Sequence, residues 1–160
     1  MKKFVCIVLS MALMMGCFNL SAYAEETTYP MVLHTYTSTE DYASDEWSTA
    51  QRGAYLLSGT SCIARESSTQ INISGFTNAT QTCDKLVLTL YVERSTSYST
   101  GYSTYKSYTY TAQNAYQLAK EISYITVERG YYYRVYGVHS VTHNGTIETT
   151  NSVTDPISYR

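Results

Sequence analysis

Histidine, proline and cysteine are scarce in this 160-residue chain, with three, two and four copies, and tryptophan occurs once. Each scarcity excludes something. The histidines stand at 34, 139 and 143, and no histidine or second cysteine pair lies at zinc spacing from another cysteine pair, so no metal centre is implied. His139 and His143 would share one face of a strand but lie about 13 Å apart at ~3.3 Å rise per residue, too far to hold one ion. No Gly-x-Ser-x-Gly elbow, His-Glu-x-x-His pair or glycine-rich phosphate loop is present. Asp84 reads as a turn residue, and Glu93, Glu121, Glu128 and Glu148 as surface or turn charges. A glycosidase would need two carboxylates held about 5 to 9.5 Å apart, and no motif pairs them. Lysine and arginine are scattered singly, which excludes the clustered footprint that nucleic acid requires. No catalytic residue and no cofactor is implied.

Long apolar runs are also missing, with one exception. Residues 4–18, FVCIVLSMALMMGCF, follow Lys2 and Lys3 and precede Ala22-Tyr23-Ala24. This is the layout of a secretory signal cleaved after Ala24, and the run is shorter than the ~20 residues of a spanning helix. Gly16-Cys17 leaves a lipid anchor at Cys17 as the alternative. Cleavage would leave nine basic residues against thirteen acidic ones and no transmembrane segment in the mature chain. Cys62 and Cys83 would remain, and in an oxidising space two cysteines most simply form a disulfide; the alternative is two separate buried thiols.

Residues 25–52 hold six acids and the single base Arg52, with few apolar residues. They read as an acidic, extended and partly disordered lead-in, with Trp47 packed on the domain edge or exposed for binding.

What the chain has in abundance is tyrosine, eighteen in all, among Thr, Ser, Val and Ile. From residue 53 to 160 the pattern is that of one β domain. In KLVLTLYVER, residues 85–94, Leu86, Leu88, Leu90 and Val92 alternate with polar positions, the period of a strand. Ile71 and Ile73 alternate likewise. Gly101 marks a turn, and Asn144-Gly145 is a strong hairpin signal. Residues 115–122 fit either a helix or a strand. About seven strands with turns every ten residues or so predict an antiparallel sandwich of two sheets.

GYYYRVYGVH, residues 130–139, is the densest tyrosine stretch. On a strand, Tyr131, Tyr133, Val135, Gly137, His139 and Val141 share one face, placed inward because it holds no full charge. His139 there reads as a half-buried core histidine donating to a backbone carbonyl. Tyr132, Arg134 and Tyr136 share the outward face. Together with Tyr91 and Tyr105 they form the predicted binding surface, aromatic and hydroxyl-rich.

Two resemblances follow. Gly130-x-x-Tyr133-x-Val135 before the last hairpin resembles the corner of fibronectin type III domains, in which a tyrosine hydroxyl returns to the upstream backbone. Gly75-Phe76-Thr77-Asn78-Ala79, Cys83-Asp84-Lys85-Leu86, Leu90-Tyr91-Val92-Glu93-Arg94, Gly130 to Val135, His139 and Thr146-Ile147-Glu148-Thr149 resemble a family of small exported proteins of Gram-positive, largely clostridial, bacteria catalogued as a domain of unknown function. The family commonly has tryptophan near the position of Tyr105. The resemblance implies an immunoglobulin-like, all-β fold and no activity. The reading is a secreted, non-enzymatic protein that binds a protein partner; a carbohydrate-binding module and a secreted hydrolase are the alternatives. The partner would be a protein or a cell-wall glycan.

Overall fold

The computed structural model describes residues 32–49 and 55–160. The cleavage site, Cys17 and the first part of the acidic stretch lie outside the described residues. All regular structure among them is antiparallel strand: β1 (Val32–Ser38), β2 (Tyr42–Thr49), β3 (Leu56–Ser67), β4 (Gln70–Ser95), β5 (Ser103–Thr126), β6 (Tyr132–His143), β7 (Thr146–Val153) and β8 (Ile157–Ser158). The strands form one eight-stranded sheet in the order β1-β2-β3-β4-β6-β7, with β5 added to β4 and β8 to β6. The predicted pair of separate sheets is therefore one continuous sheet that curls into a half-barrel, with the core enclosed by the curl.

β4 causes the curl. Its first part, from Gln70 to Ala79, pairs with β3, and its last part, from Lys85 to Ser95, pairs with β6. β5 runs beside both parts. Between Asn78 and Cys83 the register slips, five steps of β4 meeting two of β5. Extra residues in one strand bend it and increase its twist. The inward positions also change parity along β4. Ile71, Ile73, Thr77, Ala79 and Cys83 are buried in its first part, and Leu86, Leu88, Leu90 and Val92 beyond the exposed Asp84 and Lys85. The leucine face predicted from alternation is thus the inner face. Each such side chain stabilises the fold by about 1.5–3 kcal/mol relative to exposure.

The bend brings β3 over β6. A Cβ at Gly59 would lie 2.4 Å from the His139 ring, so only glycine permits the two strands to come this close. Residues 115–122, ambiguous in sequence, are strand and belong to β5. Asn114 and Tyr124, at φ 49° and 58°, take up its bends. The Asn144-Gly145 turn has positive φ at both residues, the geometry that matches strand twist in a tight hairpin.

The acidic stretch contains a correction. Its residues 32–38 and 42–49 are not a flexible lead-in but the hairpin β1–β2, paired to the edge of β3. Asp45, 1 % exposed, explains why an acid sits there: its carboxylate accepts the Val153 backbone N–H at 2.7 Å and meets His34 Nδ1 at 3.2 Å. Trp47 is half-buried and packs against the core.

Candidate functional site

The residues singled out by the tyrosine pattern fall into two groups. Tyr91 and Tyr136 are register partners on the outer face of β4 and β6, with rings 5.9 Å apart and tilted by 38°. Arg134 Nε donates to Glu93 at 2.7 Å, and its guanidinium lies 4.0 Å over the Tyr102 ring. Tyr132 meets Tyr98 edge-on at 5.5 Å and lies under the Arg160 guanidinium at 4.5 Å. The loop between β4 and β5 thus folds back onto this strip. Burial there pushes the Tyr102 phenol up to about 12, against the opposing effect of Arg134. Tyr105 does not join the strip. Its ring packs edge-on against Tyr133 at 5.8 Å, its hydroxyl donates to the Thr126 carbonyl at 3.2 Å, and Arg94 stacks on it at 4.6 Å. The strip is consequently four tilted, already partnered side chains rather than a flat platform of coplanar rings.

The inward face of β6 carries the second group. Tyr133 and Val135 are fully buried. The Tyr133 hydroxyl donates to the Glu128 carbonyl at 3.1 Å and accepts the Glu128 N–H at 2.9 Å. His139 is also fully buried rather than half-buried, and side chains flank both ring nitrogens: Nδ1 lies 3.1 Å from Thr77 Oγ1 and Nε2 lies 2.9 Å from Ser152 Oγ. Ser152 Oγ in turn donates to Ser61 Oγ at 2.7 Å. A serine beside a histidine can form a nucleophile–base pair, but the Ser152 proton is directed to Ser61 and not to the ring. Here Ser61, Thr77, His139 and Ser152 are all fully buried, so no substrate can reach it in this conformation. Burial lowers the His139 imidazole to about 4, which keeps it neutral, while a bond with the Phe76 backbone opposes the shift. The line of polar groups is satisfied internally and fixes the register of β3, β6 and β7 against one another.

The predicted Cys62–Cys83 disulfide is absent; both are free thiols. Cys62 is opposite Ser74 in register, and Cys83 lies nine residues further along β4, on the order of 30 Å of strand, whereas a disulfide needs Cα atoms within about 7 Å. Cys62 accepts a bond from the Tyr42 hydroxyl at 3.6 Å, and the Cys83 thiol donates to the Gln81 carbonyl at 3.3 Å.

Hollows on the outer face of the β2–β5 half are shallow. One of about 220 Å³ is lined by Tyr42, Cys62 and Asn72, another of about 320 Å³ by Phe76 and Lys120, and both reach Ser74 and Glu121. Glu121 is the only carboxylate in either lining, so neither supplies an acid–base pair. Among the described residues no group of three His, Cys, Asp or Glu side chains could hold a metal ion. No helix among them is long and apolar enough to cross a membrane.

The remaining feature is an edge. β5 is 24 residues long, and among the described residues it pairs with β4 alone. Only Leu118 and Ile125 in it are buried. Tyr108 and Tyr110 pack partly against the core, whereas Tyr116 and Tyr124 are 64 % and 65 % exposed. Lys106 and Lys120 extend over the Tyr105 and Tyr110 rings at 5.2 and 5.4 Å. Tyr116 and Tyr124 were hidden in the sequence by the ambiguity of residues 115–127. The available signal was the unbroken run of residues 103–126 without glycine or proline.

A profile described as Family of unknown function (DUF6147) matches residues 21–156. No curated protein and no solved structure matches the chain.

Proposed function

The chain belongs to the family of unknown function DUF6147, and we propose that it is a non-enzymatic binding protein, exported from the cytoplasm, that takes an extended segment of a partner protein along the open edge of β5. The observation that carries this reading is the one-sided pairing, among the described residues, of a 24-residue strand. An unpaired edge presents a row of N–H and C=O groups, and strand addition satisfies them with main-chain bonds while alternate side chains give specificity. The exposed rings of Tyr116 and Tyr124 supply adjacent contact area. Lys106 and Lys120 disfavour pairing with a second copy of the same edge and favour a strand bearing carboxylates. The absence of paired acids from the two β2–β5 hollows, and the burial of the Ser152–His139 pair, support a binding role over a hydrolytic one. Export rests on the residue layout before Glu25. The Tyr133–Glu128 corner supports an immunoglobulin-like relationship for the fold.

The test uses a panel of ten-residue β-forming peptides with and without acidic residues. Binding peptides should slow hydrogen exchange within residues 103–126, and Lys106→Glu with Lys120→Glu should abolish the preference for acidic peptides. Protection confined to Tyr91, Tyr132 and Tyr136 would instead locate binding on the outer strip and overturn the β5 reading.

A further inference from the structure

Three of the eleven basic residues converge at one end of the sheet. Arg65 from β3, Arg129 from the corner before β6, and Arg160 line a hollow of about 150 Å³ with Ser68 and Tyr159. No carboxylate is in the lining.

Two of the guanidiniums are held in place. Arg65 donates to the Asp41 carboxylate and, through Nη2, to the Ser158 carbonyl at 2.6 Å, and it lies 4.4 Å over the Tyr159 ring. Tyr159 is itself fixed, its hydroxyl 3.1 and 2.7 Å from the Ser67 and Gln70 carbonyls. Arg160 donates to the Thr96 carbonyl and stacks on Tyr132. Arg129 differs. Its backbone is tied down by its neighbour, Gly130 N–H donating to the Tyr159 carbonyl at 2.9 Å, yet its guanidinium makes no hydrogen bond or ion pair among the described residues. The Ser68 hydroxyl is likewise without a partner among them. Asp41 offsets one of the three charges. Glu66 also acts on the Tyr159 phenol from nearby, so the site's selectivity rests on its donors: the unengaged Arg129 fork and the Ser68 hydroxyl face a space the size of a small anion. Guanidinium forks pair with oxyanions through parallel N–H···O bonds, and those bonds are stronger than neutral ones.

We propose that this hollow binds a tetrahedral oxyanion, the phosphate or sulfate group of a larger ligand. The site is separate from the β5 edge and stands whether or not that edge takes a partner.

The test is titration of the full chain with inorganic phosphate, sulfate and acetate at constant ionic strength, read by amide chemical shifts and by the thermal midpoint. Saturable shifts at Ser68, Arg129 and Arg160 with phosphate or sulfate are expected, together with a raised midpoint. The tighter of the two anions identifies the ester class. Arg129→Gln should weaken binding about tenfold or more while leaving the midpoint in sodium chloride unchanged, since its side chain makes no bond in the fold. Lys85→Gln, at another exposed cation, should bind like the wild type. An equal response to acetate, or wild-type affinity in Arg129→Gln, would overturn the proposal.

Discussion

The Tyr133 hydroxyl bonds both backbone groups of Glu128, at 2.9 Å to the nitrogen and 3.1 Å to the oxygen. Around its buried ring, Tyr105, Tyr131 and Tyr159 stand edge-on with centroids 5.8, 6.3 and 5.7 Å away. The corner that turns β5 into β6 is therefore locked by one side chain. Tyr133→Phe keeps the ring contacts and removes both bonds, leaving two backbone groups without that partner. Urea unfolding should show a loss of about 1–3 kcal/mol. Wild-type stability in this variant would mean that the corner holds without the hydroxyl.

His139 sets a pH dependence. Burial holds its folded-state value at about 4, below its ordinary value of 6.5. Between these two values the unfolded chain binds the proton and the folded chain does not. This contribution to stability is therefore complete above pH ~6.5 and is lost as pH falls toward ~4, at a limiting slope of about 1.4 kcal/mol per pH unit. Urea midpoints measured from pH 7 to pH 4 should show this slope in the wild type and a shallower one in His139→Asn. Parallel curves would contradict a buried neutral imidazole.

Gly137 leaves room for the polar line. A Cβ there would lie 2.0 Å from Ser61 Oγ and 2.9 Å from His139 Nε2. Gly137→Ala should destabilise by about 1–3 kcal/mol through overpacking. Ser61→Ala removes the nearest clashing atom, so the double variant should lose less than the sum of the singles, with a coupling of about 0.5 kcal/mol or more. Strict additivity would place the strain elsewhere.

The two thiols should differ in reactivity. Cys62 is partly exposed on the outer face, whereas Cys83 is 1 % exposed and its thiol is pushed up by burial. Iodoacetamide on the native chain, followed by peptide mapping, should label Cys62 about tenfold faster or more, because its thiol is open to the reagent while burial shields the Cys83 thiol and disfavours its thiolate. In denaturant without reductant both should label fully. A Cys62–Cys83 cross-linked peptide would contradict the free thiols.

Local alternation made much of the fold legible. Leu86, Leu88, Leu90 and Val92, and Tyr133, Val135, His139 and Val141, point inward as the period of two requires. Three features were not legible. The β1–β2 hairpin lies in an acidic stretch whose key residue, Asp45, is useful only once β7 presents the Val153 N–H to it. Tertiary pairing there overrides composition. The lengths of β4 and β5 depend on bends at residues 79–82 and at Asn114, which sequence reads as interruptions although the ladder resumes beyond them. The cysteines are paired by arithmetic but separated by register. Of the tyrosine surface, the outward direction of Tyr91, Tyr132, Arg134 and Tyr136 followed from parity. Their coverage by the loop of residues 96–102, and the inward turn of Tyr105 beyond the register slip at Val92/Glu93, required three dimensions.

The most direct test of the open edge is residue-resolved amide hydrogen exchange on the full chain without a partner. Alternate amides from Ser103 to Thr126, those directed away from β4, should exchange quickly, while amides in the two-sided part of β4 from Leu86 to Val92 stay protected throughout. Uniform protection along β5, equal to that of β4, would mean that its outer edge is already paired and would contradict the binding surface proposed for this protein.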